Sequence, residues 1–325
     1  MIILDGTYVI AIDIGGTKTL AAAVRLEDGK ILKRIAGTTN TASPSDFIAG
    51  IETVIQELRS SLAEISFTAV GIGTAGHVDP TNGYVSSLNL GLDNFPIKGL
   101  LHDFTGLPVF IDNDANAGAL GEMHYGAAKG KRHFAFLSVG TGIGVGLVLD
   151  GKIYHGKGNN AGEIGHVGLY IRGDKCKCGG TGCFENMASG PAMVDAFKRQ
   201  RSAGYETKLL AEDISPQDIF AAAEAHSDPL SVKVIVDAAE ALGYGIRGLN
   251  NLLDLELIVL GGGIPLAAPP YFLTHIESSA MGGVNRVNPS ECPIILSKLY
   301  PDSIIMGAAS LVKLSHEKPG QKGGV

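Results

Sequence analysis

Three cysteines and one histidine form the densest group of metal-binding residues in the sequence. Cys176, Cys178 and Cys183 lie in one glycine-rich stretch, and His166 stands ten residues before the first of them. Three thiolates and one imidazole are a common closed, tetrahedral zinc set, whereas these cysteines lie too close together for an ordinary disulfide framework. The spacing therefore predicts a structural zinc without a position for water, and Cys292 is interpreted as an ordinary buried thiol.

A second group of chemically active residues follows the apolar run 107–111, where Asp112, Asn113, Asp114 and Asn116 occur together. Ligands of α/β proteins gather beyond the carboxyl ends of strands, and a carboxylate there can accept the proton of an attacking alcohol during phosphoryl transfer. Asp and Asn are also the commonest helix N-caps. The residues alone leave two roles open for Asp114, as a general base or as a cap.

One pattern occurs twice, at Val9 to Leu32 and at Phe134 to Tyr154: an apolar strand, a glycine-threonine turn, a second apolar strand and an Asp-Gly-Lys-Ile turn. Such a repeat indicates two similar half-structures, and Asp-Gly between apolar runs is typical of hairpins. Backbone N–H groups at glycine turns can bind phosphate oxygens. We therefore predict a nucleotide clamp made by Asp13, Gly15, Gly16, Thr17, Lys18, Gly140, Thr141 and Gly142.

Two further elements are candidates for the nucleotide site. The carboxylate of Asp13 ends the first strand and is suited to hold Mg²⁺ through water, since Mg²⁺ releases its waters reluctantly. The run Gly261, Gly262 and Gly263 follows the last apolar strand. It could let an adenine or ribose lie against the backbone, or it could be a tight strand-to-helix turn.

Two other glycine motifs are rejected. Gly71 to Gly76 matches the dinucleotide fingerprint G-x-G-x-x-G, but the residues that follow, His-Val-Asp-Pro, cannot begin the helix which that fingerprint requires. Gly15 to Thr19 looks like a P-loop, yet its glycine spacing differs and a strand follows it.

The elements that must position these groups are strands followed by helices, in two series. Strands are predicted at 8–14, 20–26, 31–37, 67–72, 107–111 and 257–260, and helices at 44–62, 116–125, 191–203, 216–225 and 232–253, with a long loop at 73–96. This order favours an α/β architecture with two sheets, a cleft between them and a boundary near 115–130.

Composition limits the function further. The chain has 325 residues, 45% of them hydrophobic, and a net charge of −7 without any block of Lys or Arg. We therefore expect two domains, small-molecule partners, and no binding of nucleic acid or membrane. No apolar run is long enough for a bilayer and no secretory signal is visible, so a cytoplasmic location is expected.

Four segments together resemble the ROK family of sugar kinases, repressors and open reading frames, and within it the glucokinase type. They are Asp13-Ile-Gly-Gly-Thr-Lys18, Asp112-Asn-Asp114, Glu163-Ile-Gly-His166 and the pattern C-x-C-G-x-x-G-C-x-E from Cys176 to Glu185. The resemblance extends from Ile10 to about Leu314. One departure is Ala75-Gly76, where the family often has Pro-Gly.

This resemblance implies an actin-like ATPase (ribonuclease H-like) fold, duplicated in two domains with an interdomain cleft. The small domain is expected at 1–116, completed by a C-terminal helix at about 305–315. The large domain is expected at 117–304, with the zinc loop and a dimerisation surface, and a flexible tail at 316–325. A homodimer or a dimer of dimers is expected.

The resemblance also implies roles for individual residues. Asp114 is the catalytic base, and the sugar contacts are Asn89, Asn113, Asp114, Glu163, His166 and Glu185. His166 then binds zinc with one ring nitrogen and sugar with the other, which is chemically reasonable because the second nitrogen of a metal-bound imidazole is normally hydrogen-bonded. ATP and Mg²⁺ are the expected cofactors, beside structural zinc.

The sequence therefore predicts an ATP-dependent hexose kinase that converts glucose to glucose 6-phosphate. N-acetylmannosamine, N-acetylglucosamine and mannose are the alternative substrates, and polyphosphate is the alternative donor. A sugar sensor without catalysis is the rival from another class, although a sensor would need neither Asp13 nor Asp114. A DNA-binding regulator is not expected, since the first strand begins at about Tyr8 and no basic patch exists.

Overall fold

The computed structural model describes residues 6–281 and 292–316. The chain divides into two compact units. The first contains the residues up to Gly130, the segment 153–161 and the residues from Lys298 onward, and the second contains residues 131–152 and 162–297. The predicted tail beyond 316 lies outside the described residues.

The elements are numbered in chain order. The strands are β1 Tyr8–Ile14, β2 Lys18–Arg25, β3 Ile31–Thr38, β4 Phe67–Thr74, β5 His77–Asp79, β6 Tyr84–Ser87, β7 Leu92–Phe95, β8 Val109–Asn113, β9 Phe134–Val139, β10 Ile143–Leu149, β11 Lys152–Ile153, β12 Leu257–Gly261 and β13 Ile294–Leu296. The helices are α1 Pro44–Ser61, α2 Ile97–Thr105, α3 Asp114–His124, α4 Glu185–Ala188, α5 Gly190–Ser202, α6 Pro216–His226, α7 Pro229–Leu253, α8 Gly263–Ala267, α9 Pro270–Met281 and α10 Ser303–His316.

The first unit is built on a five-stranded sheet with the order β3-β2-β1-β4-β8. β1, β4 and β8 are parallel, while β2 and β3 are antiparallel to their neighbours. Because alternate side chains of a strand point to opposite faces, Ile10 and Ile12 join the core that contains α1, whereas Val9 and Ala11 join the core that contains α10. The three parallel strands bring their carboxyl ends to one edge.

The region 73–96 was predicted as a long loop, and this prediction is wrong. After β4 the chain forms a three-stranded antiparallel sheet of β5, β6 and β7. The Asp-Pro-Thr-Asn-Gly turn signals belong to the β5–β6 hairpin, where the Asp79 carboxylate accepts hydrogen bonds from the backbone N–H of Thr81 and Asn82. Strands of three or four residues are too short to show a clear alternation of apolar and polar residues.

The second unit contains a five-stranded sheet with the order β11-β10-β9-β12-β13. β9 pairs antiparallel with β10 and parallel with β12, so it repeats the arrangement of β1 with β2 and β4. Helices α4 to α9 contribute to the core on this sheet, with Phe184, Phe197 and Phe272 fully buried. The repeated sequence pattern thus corresponds to two sheets with equivalent first hairpins.

Several boundaries differ from those expected. The predicted domain boundary at 116 falls inside α3, which begins at Asp114 and lies with α10 in the first unit. Helices α2 and α9 were not predicted, because neither has the cap-and-proline signature that identified α1. Within residues 6–281 and 292–316, no helix has both the length and the apolar character that a membrane crossing requires.

Candidate active site

Two candidate carboxylates follow from the topology of the first sheet. Asp13 on β1 is in register with Gly73 on β4, and Gly73 is in register with Asp112 on β8. Asp114 follows β8 directly, as the first residue of α3. The carboxyl edge of the parallel strands therefore carries Asp13 and Asp114, in the position where α/β folds bind ligands.

Asp13 lies in an electrostatic environment that disfavours its charge. Burial, and then the neighbouring charge of Asp114, raise the pKa of Asp13 to about 7, against the opposing effect of Lys18. Two neighbouring carboxylates of this kind can be stabilised by a shared proton or by a cation. The donor set therefore fits a hydrated Mg²⁺, which carboxylates bind together with substrate phosphates.

The helix cap that competed with a catalytic role is made by Asn113. Its Oδ1 accepts a hydrogen bond of 2.9 Å from the N–H of Ala115, and its Nδ2 donates one of 3.0 Å to the carbonyl oxygen of Gly76. Asp114 stands in the first turn, with its Oδ1 also 2.9 Å from the N–H of Ala115. A negative charge in the first turn interacts favourably with the helix dipole.

A second buried carboxylate, Asp112, lies two residues before Asp114 and was given no role in the sequence analysis. Asp112 Oδ1 accepts hydrogen bonds from the N–H of Asn113 and from Nδ2 of Asn116. Asp112 Oδ2 is 2.7 Å from Nε2 of His155, and only 4% of the Asp112 side chain is exposed. The hydrogen bond to Asp112 raises the pKa of His155 although burial opposes this. No spacing in the sequence connects the two residues.

The first glycine hairpin is an exposed turn between β1 and β2. Gly15 donates its N–H to the carbonyl oxygen of Lys18 at 3.0 Å, and residues 16–18 are exposed. A Cβ built on Gly16 would meet nothing within 4 Å, and Gly16 is not in the left-handed region. Folding of this unit therefore does not require glycine at 16, whereas close approach of a ligand to the backbone would.

The second glycine hairpin, between β9 and β10, is held by two neighbouring helices. Gly140 donates its N–H to Gly142 and accepts a hydrogen bond from the N–H of Gly190, at the start of α5. Glu185 Oε2 accepts a hydrogen bond of 3.0 Å from the N–H of Ile143, and a Cβ on Gly142 would lie 2.6 Å from this oxygen. A residue expected to contact sugar is thus bonded to the turn expected to contact phosphate.

The third glycine run has a structural explanation. Gly262 has a φ of +87° and caps the short helix α8. A Cβ at this position would overlap the carbonyl oxygen of Val139. The strand-to-helix turn therefore requires glycine at 262, and a nucleotide contact by Gly261, Gly262 and Gly263 stays a prediction.

The predicted zinc ligands come together in the second unit. The ligand atoms of His166, Cys176, Cys178 and Cys183 all lie within 4.8 Å of one another, with Cys178 Sγ 3.6 Å from Cys183 Sγ and Cys176 Sγ 3.7 Å from His166 Nδ1. Ligands about 2.0–2.3 Å from a tetrahedral zinc are roughly 3.5–3.8 Å apart. The four residues therefore fit zinc, and Nδ1 of His166 faces the cysteines, which leaves Nε2 for another partner.

The remaining predicted sugar contacts are exposed. Glu163 comes just before the 3-10 turn Ile164–His166 in the second unit. Asn89 lies in the 3-10 turn Leu88–Leu90, which connects β6 to β7 in the first unit. The predicted site residues are thus divided between the two units: Asp13, Gly15 to Lys18, Asn89, Asn113 and Asp114 in the first, and the others in the second.

Comparison with known proteins identifies the family. The model of the ROK family matches residues 9–315. The chain belongs to the ROK family. The resemblance inferred from the four motifs is thereby confirmed.

Curated ROK relatives include both glucokinases and other sugar kinases. The chain is 31% identical to the glucokinase of Halalkalibacterium halodurans, over 98% of this chain and 99% of that protein. It is 33% identical to the Thermotoga maritima glucokinase, over 94% and 96% of the two chains. Identity to the N-acetylmannosamine kinase of Vibrio cholerae is 34%, over 92% and 97%.

Solved ROK structures confirm the predicted fold. The Streptomyces griseus ROK glucokinase, solved with glucose and AMPPNP, has a TM-score of 0.81 and 30% identity, over 94% of this chain and 98% of that one. A ROK transcriptional regulator, a homologue of the E. coli MLC protein, has a TM-score of 0.86 and 29% identity, over 95% and 78%. The chain has the actin-like ATPase fold of the ROK hexokinases.

Proposed function

We propose that this ROK protein transfers the γ-phosphoryl group of ATP to the 6-hydroxyl of D-glucose, forming glucose 6-phosphate and ADP. The observation that carries the proposal is the acid pair at the carboxyl edge of the first sheet. Asp114 lies close enough to the half-buried Asp13 to raise the pKa of Asp13. Helix capping, the alternative role for Asp114, is performed by Asn113. The relatives named as glucokinases support glucose as the acceptor.

In this proposal Asp114 accepts the proton of the 6-hydroxyl as that oxygen attacks the γ-phosphorus. The bond between the γ-phosphorus and the β,γ-bridging oxygen breaks, and ADP leaves. Backbone N–H groups of the two glycine hairpins bind the phosphates in this proposal. Asp13 would hold Mg²⁺ through water, and the bound ion would supply positive charge beside the phosphates. A positioned base of this kind contributes about 10²–10⁴ to the rate.

The remaining residues bind and orient the sugar. Asn89 and Asn113 act from the first unit, and Glu163, His166 and Glu185 from the second. In the second unit the zinc ligands hold the loop that contains His166, whose Nδ1 faces Cys176. Its Nε2 is then available as a hydrogen-bonding group for a sugar hydroxyl.

A second candidate substrate is N-acetylmannosamine, and the Vibrio cholerae relative of that name favours it. N-acetylglucosamine and mannose each differ from glucose and from N-acetylmannosamine at C2 only. Both sugars are therefore tested as substrates beside those two. The alternative function is that of a sugar sensor without catalytic activity. The similar structure of a ROK transcriptional regulator supports this alternative.

The test is a coupled assay of ADP release with glucose, mannose, N-acetylmannosamine and N-acetylglucosamine, with Asp114→Asn as the inactive control. We expect the highest kcat/KM with glucose and phosphate at O6 by ³¹P NMR. A higher kcat/KM for an N-acetylated sugar would show that this sugar, and not glucose, is the preferred substrate. The kinase proposal would be contradicted if the protein bound sugar but transferred no phosphoryl group to it from either ATP or polyphosphate.

A further inference from the structure

The segment 153–161 carries a histidine that reaches the candidate catalytic strand end. The segment is grouped with the first unit, although the residues on both sides of it in the chain belong to the second. Two hydrogen bonds link it to other residues of the first unit: His155 Nε2 lies 2.7 Å from Asp112 Oδ2, and His77 Nε2 lies 2.8 Å from the carbonyl oxygen of Gly158. Only the first of these contacts involves a carboxylate beside the candidate base.

Asp112 connects His155 to the residues that follow β8. One of its oxygens accepts hydrogen bonds from the N–H of Asn113, at 2.8 Å, and from Nδ2 of Asn116, at 2.9 Å. The other oxygen faces His155. Because Asp112 is almost fully buried, loss of a partner would leave part of a charged group without compensation. The orientation of this carboxylate, and of the backbone it holds, therefore depends on His155.

We propose that His155 is a positioning residue for phosphoryl transfer, which acts through Asp112 to fix the backbone at Asn113 and hence the carboxylate of Asp114. The inference rests on the proposed function, since it assigns Asp114 the role of base. Asn113 has two further anchors of its own, to Gly76 and Ala115. Misplacement should therefore affect the chemical step more than the binding of sugar.

The test compares two substitutions at 155 in the full-length protein. In His155→Gln, the side-chain Nε2 can still donate to Asp112, whereas His155→Leu fills similar space without a donor. We expect His155→Leu to lower kcat by about ten- to a hundredfold, as small displacements of reacting groups do, with the KM values for sugar and ATP changed by less than about threefold. His155→Gln should recover most of the rate.

The matched control is His77→Leu, which removes the other contact of the same segment and leaves Asp112 unchanged. We expect its kcat to stay within about twofold of the parent, because it does not touch the Asp112 network. Equal losses in His77→Leu and His155→Leu would overturn the proposal, since docking of the segment would then explain both. A His155→Leu enzyme with the parental kcat would also overturn it.

Asp112→Asn tests the same pair from the other side, and serves if His155→Leu does not fold. It should lower kcat with the same small effect on KM, and the pKa of His155 measured by NMR should move back towards its ordinary value. A normal kcat, or an unchanged His155 titration, would contradict the proposal. If the unmodified protein phosphorylates no sugar, the proposed function is wrong. If the unmodified protein and the variants at 112 and 155 are all equally active, only the role of His155 is wrong.

Discussion

The two glycine hairpins have the same sequence pattern but different surroundings. In the first, a Cβ on Gly16 would meet nothing within 4 Å, and the carbonyl oxygen of Thr17 accepts a hydrogen bond from the N–H of Thr39 at 3.0 Å. In the second, Glu185 accepts a hydrogen bond from Ile143, and a Cβ on Gly142 would contact the same carboxylate. The first turn is thus bonded to the backbone that follows β3, whereas the second is bonded to the carboxylate of Glu185, which follows the predicted zinc loop.

This difference shows how a duplicated element can be given two tasks. A side chain added at Gly16 has open space, so it should leave the rest of the first unit undisturbed. A change at the second turn should reach Glu185, a predicted sugar contact, because the two are hydrogen-bonded. Substitutions in the two hairpins should therefore have separable effects on nucleotide and sugar.

The largest effect is expected from loss of the proposed zinc site, whose loop is followed by Glu185, the residue bonded to the second hairpin. Cys178→Ser should lose bound zinc and lower the free energy of unfolding by about 4 kcal/mol, because metal-binding energy at such a site is also folding energy. The KM for sugar should rise far more than the KM for ATP. Elemental analysis, thermal unfolding and steady-state kinetics measure these changes.

The control for this variant is Cys292→Ser, since Cys292 is outside the ligand cluster. It should retain one zinc per chain and the parental KM values. A fully active parent that contains no zinc would remove the support for a structural metal in this loop.

In the second hairpin, Gly142→Val should raise the KM for ATP and the KM for sugar together. The new side chain must displace the carboxylate of Glu185, since even its Cβ would lie 2.6 Å from Oε2. We expect kcat/KM for each substrate to fall by about a hundredfold, which corresponds to about 2.7 kcal/mol. Gly140→Val is the matched control for the sugar effect: it should raise the KM for ATP, as a clamp residue, but leave the KM for sugar unchanged, because a Cβ there meets nothing within 4 Å. If sugar KM were unchanged in Gly142→Val, the coupling through Glu185 would be disproved.

The acid pair beside the first hairpin predicts a pH-dependent difference in stability. The folded-state pKa of Asp13, about 7, is above its ordinary value of 3.8, so the charged form is disfavoured by folding and the cost grows as pH rises between these values. Without Mg²⁺, Asp13→Asn should be more stable than the parent by about 4 kcal/mol at pH 8, and nearly equal to it near pH 3. Urea unfolding at both pH values measures this, and a difference independent of pH would contradict it.

The smallest effect is expected at the first hairpin. Gly16→Val should raise the KM for ATP by about tenfold, equivalent to 1.4 kcal/mol, with the sugar KM and the unfolding midpoint unchanged. The side chain has space in the fold but would separate the backbone N–H groups from the phosphates. Equal changes in both KM values would indicate that this hairpin is not an independent nucleotide element.

The sequence predicted the elements in which local signals agree. β1 has the predicted bounds, and α1 begins where Ser43 and Pro44 indicated, with the Ser43 side chain accepting from the N–H of Asp46. The clustering of His166, Cys176, Cys178 and Cys183 was also predictable, because short spacing along the chain restricts where these side chains can lie, and zinc binding by them stays a prediction. The sheet of β5, β6 and β7 was not predicted, since its strands are short and its turns alone looked like a loop.

Contacts between distant residues were beyond the sequence argument. Asp112 and His155 are 43 positions apart, and neither belongs to a motif that specifies the other. The choice between a cap and a base at Asp114 also required the backbone. The sequence contains adequate caps at both Asn113 and Asp114, and only the helix start shows that Asn113 fills this role.

The central claim is that Asp114 performs the acid-base step, and single-turnover phosphoryl transfer in Asp114→Asn tests it most directly. Enzyme saturated with glucose and ATP is quenched over time, and glucose 6-phosphate is quantified, with binding of both substrates measured separately by calorimetry. We predict that both substrates bind with near-parental affinity and that the transfer rate falls by about 10²–10⁴. A transfer rate close to that of the parent would contradict the claim.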